Sequence, residues 1–89
     1  MITVITPKRV ALNIRAWREH LGFKQHVVAD EIGVSRKWYV DLENVKVKFR
    51  VDQVLVIAQF FEIPPTEFFK AETDFNKQKI APPELEYNL

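Results

Sequence analysis

A chain of 89 residues with 47% hydrophobic positions and seven phenylalanines suits one small domain with an efficient apolar core, and excludes a disordered polymer. With no cysteine there is neither a disulfide framework nor a thiolate metal site, and with no apolar run near the roughly 20 residues of a membrane span and no visible signal peptide, the expected compartment is the cytoplasm. The net charge of +1 hides an asymmetry: residues 1–50 carry ten Lys and Arg against five acids, a balance of +5, and residues 51–89 three against seven, a balance of −4, so one half is fit to meet a polyanion.

In chain order, residues 2–5 (Ile-Thr-Val-Ile) lean towards a short edge strand or a loose arm. Thr6-Pro7 reads as a helix start, threonine as N-cap and proline at the first helical position. Val10, Ile14, Trp17 and Leu21 follow on one helical face, and Gly22 ends the helix. A second helix, Gln25 to Ile32, places Val28, Ala29 and Ile32 on one side and stops at Gly33. Ser35 caps a third helix running from Arg36 to Asn44. Residues 45–50 form a basic connector. Val51, Val54, Leu55, Ala58 and Phe61 then mark a fourth helix. Pro64-Pro65 breaks the chain, and Pro65 opens a short fifth helix ending near Phe69-Lys70. Beyond Ala71 the periodicity fades. The expectation is an all-α domain of five helices over residues 6–70, with an N-terminal arm (1–5) and a C-terminal extension (71–89).

Gly33-Val34-Ser35 is the informative segment. A helix that stops at glycine and restarts within three residues turns sharply, leaving the next helix free to enter a major groove about 12 Å wide. From Ile14 to Phe69 the chain resembles the lambda-repressor-like, Cro-type helix-turn-helix regulators, also called the xenobiotic-response-element type. The resemblance runs through Arg18 before Leu21-Gly22, then Gln25, Val28-Ala29 and Ile32-Gly33-Val34-Ser35. It continues through Leu42-Glu43-Asn44, Leu55, Ile57-Ala58, Phe61, Ile63 and Phe68-Phe69.

The resemblance implies a DNA-binding transcriptional regulator, with repression the expected mode, acting on double-stranded operator DNA as a homodimer without cofactor or metal. The position matching Gln25 bonds a phosphate in that family, in keeping with the free amides and positive dipole end of a helix N-terminus. The third helix becomes the recognition helix. Arg36 and Lys37 are then offered to base edges and Asp41, at i+4 from Lys37, accepts from cytosine or orients its cationic neighbours. Ser35 is chiefly a cap that can also touch phosphate, Trp38 lies against the sugar-phosphate backbone, and Val40 is exposed to a thymine methyl. Lys46, Lys48 and Arg50 read as nonspecific phosphate contacts. Tyr39 points into the core. Arg18 and Glu43 match a buried ion pair between helices one and three. Candidate dimer residues are Val56, Phe60, Ile63, Pro64 and Phe69, with the alternative that some seal the core.

Three positions depart from the family pattern: Val45 stands where glycine is usual, and Lys24 and Arg50 where caps are usual. Either Asn44 becomes left-handed or the connector takes another path, because a β-branched residue resists positive φ. The extension, with Phe75, Ile80, Leu85 and Tyr87 among Glu72, Asp74, Glu84 and Glu86, could dock on its own domain, complete a dimer or hold a protein partner. An antitoxin-like or adaptor module is therefore the alternative function. An enzyme is not expected: His20 and His26 lie on different helices with no nucleophile beside either, and read as surface histidines.

Overall fold

The computed structural model describes residues 5–73 and Phe75. Among the described residues, four α-helices follow one another: α1 (Pro7–Leu21), α2 (Gln25–Ile32), α3 (Arg36–Glu43) and α4 (Val51–Phe61). The fifth expected helix is instead a single 3₁₀ stretch, Pro65–Phe69. Five residues close to a diproline are too few for α-helical nucleation, and the tighter winding suffices to drop Phe68 into the core. Among the described residues there is no strand. The proposed arm, residues 2–5, falls outside the described residues apart from Ile5, which packs on the core.

Local chemistry sets most of the helix ends. Thr6 Oγ1 accepts from the Arg9 amide at 3.1 Å, with Pro7 behind it, and Ser35 Oγ accepts from the Trp38 amide at 3.0 Å. All four helices close through the same device, a left-handed residue whose successor donates back into the last turn. In α1 and α2 that residue is Gly22 (φ 82°) or Gly33 (φ 77°), where the missing Cβ removes the steric objection. In α3 and α4 it is Val45 (φ 61°) and Glu62 (φ 59°). Val45 itself therefore takes the left-handed turn, and Asn44, at φ −91°, does not. The closing bonds, Val45 N–H to Leu42 carbonyl at 3.1 Å and Lys46 N–H to Asp41 carbonyl at 2.8 Å, hold a conformation that costs a β-branched residue on the order of 1–3 kcal/mol. At the start of α4, Gln53 Oε1 accepts from the Arg50 amide at 2.8 Å, so the helix is capped from inside despite lacking Ser or Thr.

Ile14, Val28, Ala29, Tyr39, Leu42, Val54, Ile57, Ala58 and Phe68 are fully enclosed, joined by Val10, Trp17 and Phe61. Helix α3 packs mainly on α2 and α1, while α4 and the 3₁₀ turn close the other side. The inward face of α4 is Val54, Ile57, Ala58 and Phe61. Two residues expected on it, Val51 and Leu55, are 67% and 45% exposed. They lie one turn apart, and the buried stripe runs along the 54/57/58/61 positions instead. Leu21 is likewise exposed at the end of its helix.

One buried polar residue binds the two ends of the fold. Asn13 Nδ2 donates to the carbonyls of Phe68 (3.0 Å) and Lys70 (2.8 Å), tying the 3₁₀ turn to α1. Both acceptors lie more than 50 residues away, so the bond constrains the fold far more than a local contact does. Beyond the turn, Phe75 stacks on His20 (4.1 Å between rings) and meets Trp17 edge-on (5.0 Å). The extension thus begins by docking on its own domain. Ile80, Glu84, Leu85, Glu86 and Tyr87 lie outside the described residues.

Candidate nucleic-acid interface

The turn Gly33-Val34-Ser35 redirects the chain so that α3 starts on the surface. Gly33 supplies the positive φ, Val34 donates back to the Ala29 carbonyl at 3.0 Å and packs on the core, and Ser35 caps the new helix. Tyr39, Leu42 and Glu43 form the buried side of α3, while Ser35, Arg36 and Lys37 are exposed at its start. Trp38, Val40 and Asp41 are half-buried. Trp38 packs partly on the core, so only part of its side chain is left for a backbone contact. Val40 is thus more covered than the sequence reading expected, because it lies at the flank of α3 and not along its crest.

The orientation of α3 is fixed by charge. Arg18 on α1 grips Glu43 with two bonds, Nε to Oε2 at 2.7 Å and Nη2 to Oε1 at 3.1 Å, and Arg18 Nη1 donates to the Phe23 carbonyl at 2.8 Å. The Glu43 side chain is 1% exposed and that of Arg18 11%. Burial opposes the charge on Arg18, but the Glu43 carboxylate more than offsets it, holding the guanidinium above its ordinary range. Gln25 Nε2 adds a bond to Glu43 Oε1 at 3.0 Å. Gln25 is thereby a three-helix link as well as a candidate phosphate contact, with one amide proton committed inward. Nearby, the buried Tyr39 hydroxyl has no hydrogen-bond partner among the described residues. Burial first, and then the Glu43 carboxylate, push its ionisation far above the usual tyrosine range.

Other candidates divide by partner. Lys37 Nζ is held by Asp41 Oδ2 at 2.8 Å, the i+4 pair foreseen from the sequence. The lysine is 86% exposed, so water screens the pair and it yields readily to a competing phosphate or base. Arg50, expected to be a free phosphate contact, is bidentate on Asp52 with bonds at 3.0 and 3.4 Å. The pair raises the guanidinium and holds Asp52 below the usual carboxylate range. Lys46 and Lys48 are exposed, with no side-chain partner among the described residues.

An open concavity of about 340 Å³ lies beside the start of α3, lined by Arg18, Lys24, Gln25, His26 and Arg36. No side chain caps the start of α2, so its first amides, at Gln25 and His26, lack an intrahelical acceptor there. Sequence reading picked out Gln25 and Arg36 but missed Lys24 and His26 as neighbours of the same hollow. The available signal was the missing cap at Lys24, noted only as a departure. Among the described residues, no group of three or more His, Asp or Glu is placed to hold a metal ion, and no helix is long and apolar enough to cross a membrane.

This succession of helices fits a family model described as a helix-turn-helix domain, which matches residues 9–68. The chain belongs to the helix-turn-helix family. The matched residues run from the first turn of α1 into the 3₁₀ turn, and the membership sets the protein among regulators of the helix-turn-helix kind, not enzymes. Two solved structures share the helix-turn-helix fold. One is the restriction-modification controller protein C.AhdI from Aeromonas hydrophila, at 22% identity and a TM-score of 0.67, covering 71% of this chain and 96% of that one. The other is the hypothetical transcription factor NHTF from Neisseria, at 14% identity and a TM-score of 0.68, covering 90% of this chain and 95% of that one. No curated protein matches the sequence.

Proposed function

We propose that this helix-turn-helix protein is a sequence-specific, DNA-binding transcriptional regulator of the lambda-repressor-like type, working in the cytoplasm as a repressor that meets its operator as a homodimer. One observation carries the reading: the exposed start of α3 adjoins a concavity with three basic side chains and a histidine on its wall. Helix α3 enters the major groove, and its first turn brings Arg36 and Lys37 to base edges, Arg36 preferring guanine through a bidentate bond to O6 and N7. Gln25 and the free amides of α2 take an adjacent phosphate. Ser35 and Trp38 follow the backbone at the flank of the groove, and Lys46 and Lys48 extend the phosphate track along the connector. Arg50 joins it only on leaving Asp52.

The dimer surface is the part of α4 and the 3₁₀ turn that the core leaves uncovered. Val56 and Phe69 are each more than 40% exposed, and Pro64 is exposed between them in sequence. Phe60 and Ile63 are half-buried, Phe60 lying on Phe23 at 4.8 Å between rings, so these two face both ways. Two half-sites about one helical turn apart would match such a dimer.

The test is selection of bound duplexes from random DNA, followed by affinity measurements on the recovered motif. A two-fold symmetric motif with guanine lost specifically in Arg36→Ala supports the reading. Uniform weakening on all sequences reassigns Arg36 to phosphate. No recovered motif, with binding abolished by modest salt, refutes sequence-specific regulation.

A further inference from the structure

His26 stands apart from the molecule's other described histidine. His20 has a structural place, flat against Phe75 and edge-on to Trp17. His26 makes no ring contact, hydrogen bond or ion pair among the described residues, yet it is half-buried on the wall of the concavity beside α3.

We propose that His26 is a DNA phosphate contact whose imidazolium joins Lys24 and the free amides at the start of α2 around one backbone phosphate, so that duplex binding tightens as the pH falls. The inference rests on the DNA-binding reading above. It adds to that reading a residue and a proton.

The charges around the imidazole support it. Lys24 precedes α2, and Arg36 reaches the hollow from α3; neither side chain has a partner among the described residues. Arg18, from α1, is committed to Glu43 and to the Phe23 carbonyl, and Gln25 to Glu43. Glu43, the carboxylate behind the wall, is therefore already met by an arginine and an amide. Asp30 lies one turn along α2, at i+4 from His26, and is exposed outside the lining. A phosphodiester in the hollow lies against the imidazole as an opposite charge, so a bound phosphate and a protonated His26 each favour the other. Histidine is the side chain whose ordinary titration falls in the range where this matters. The phosphodiester itself carries one fixed charge throughout, so the proton is taken up by the protein.

The experiment measures binding of the full chain to a mixed-sequence duplex about three helical turns long. Fluorescence anisotropy at fixed ionic strength is read at about pH 5.5 and about pH 8. The wild-type protein should bind roughly three- to tenfold more tightly per protomer at the lower pH. The same ratio should hold on a second duplex of unrelated sequence, since phosphates carry no sequence. His26→Gln should flatten the ratio, His26→Lys should bind tightly at both pH values, and His20→Gln should keep the wild-type response. The histidine ring resonances give a second readout: saturating duplex should shift the titration midpoint of His26 upwards. An undiminished pH ratio in His26→Gln, or an unmoved midpoint, overturns the role of His26 while leaving DNA binding intact. If the wild-type chain bound no duplex at low salt at either pH, the DNA-binding reading itself would fall.

Discussion

Replacing Arg18 by methionine isolates what the buried ion pair does. Methionine retains the apolar stem of the side chain, so packing is largely preserved and the guanidinium alone is removed. Three bonds go with it: the two to Glu43 and the one to the Phe23 carbonyl. The carboxylate left behind is 1% exposed and keeps only the Gln25 amide. Breaking a buried pair from one side costs about 3–5 kcal/mol, because the surviving charge remains desolvated. Arg18 sits at the rim, with 11% of its side chain in water, which points to the lower end, about 3 kcal/mol. For a domain of this size, with a total stability on the order of 5 kcal/mol, that is more than half. Urea unfolding followed by far-ultraviolet circular dichroism measures it directly. The double variant Arg18→Met/Glu43→Leu removes both charges and should return to within about 1 kcal/mol of wild type. Its DNA affinity should still fall, since the pair and Gln25 no longer fix the orientation of α3. A loss under about 1 kcal/mol in Arg18→Met, or a double variant as unstable as the single, would refute the view that an uncompensated charge is what destabilises the fold.

Three further outcomes follow from the same geometry. Val45→Gly should stabilise the domain by about 0.5–1 kcal/mol in the same urea assay, because release of the left-handed strain at φ 61° exceeds the added freedom of the unfolded chain. Tyr39→Phe removes a buried hydroxyl that has no hydrogen-bond partner among the described residues and should be neutral or stabilising by about 1 kcal/mol at neutral pH. Because the folded state holds that hydroxyl protonated far above the unfolded value near 10, its contribution is complete below about pH 10 and is lost as the pH rises beyond it. Wild-type stability should therefore decline more steeply than that of Tyr39→Phe in alkaline urea titrations. Lys46→Gln and Lys48→Gln should each reduce the salt dependence of duplex binding, plotted as log affinity against log salt, by a little under about one unit without altering the selected motif.

Legibility in the sequence followed the range of the interactions. Caps and periodicity are read within a turn or two, so Thr6, Gly22, Gly33 and Ser35 were plain, and with them the order of the helices. The left-handed turns at Val45 and Glu62 were not, since no local preference calls for them. They form because Leu42 and Ala58 are already anchored in the core and the chain must close over them. On α4 the sequence offers apolar residues all round, so periodicity alone could not say that Val51 and Leu55 face out. The site divides in the same way. Arg36 and Lys37 belong to one short helix and are read there; the hollow containing Lys24 and His26 exists only where three helices meet.

The residues alone led to five helices, of which four are α-helical and the last is a 3₁₀ stretch, to a glycine turn joining the second to the third, and to positive charge gathered in the first half. Those are properties of neighbours along the chain, decided by backbone sterics and spacing. Tertiary structure decided which carboxylate sits behind the interface, which cations already have partners, and what ties the last turn to the first helix through Asn13. These depend on atoms separated by up to 57 residues in sequence, and their strength is set by burial, which no single segment possesses until the others pack around it.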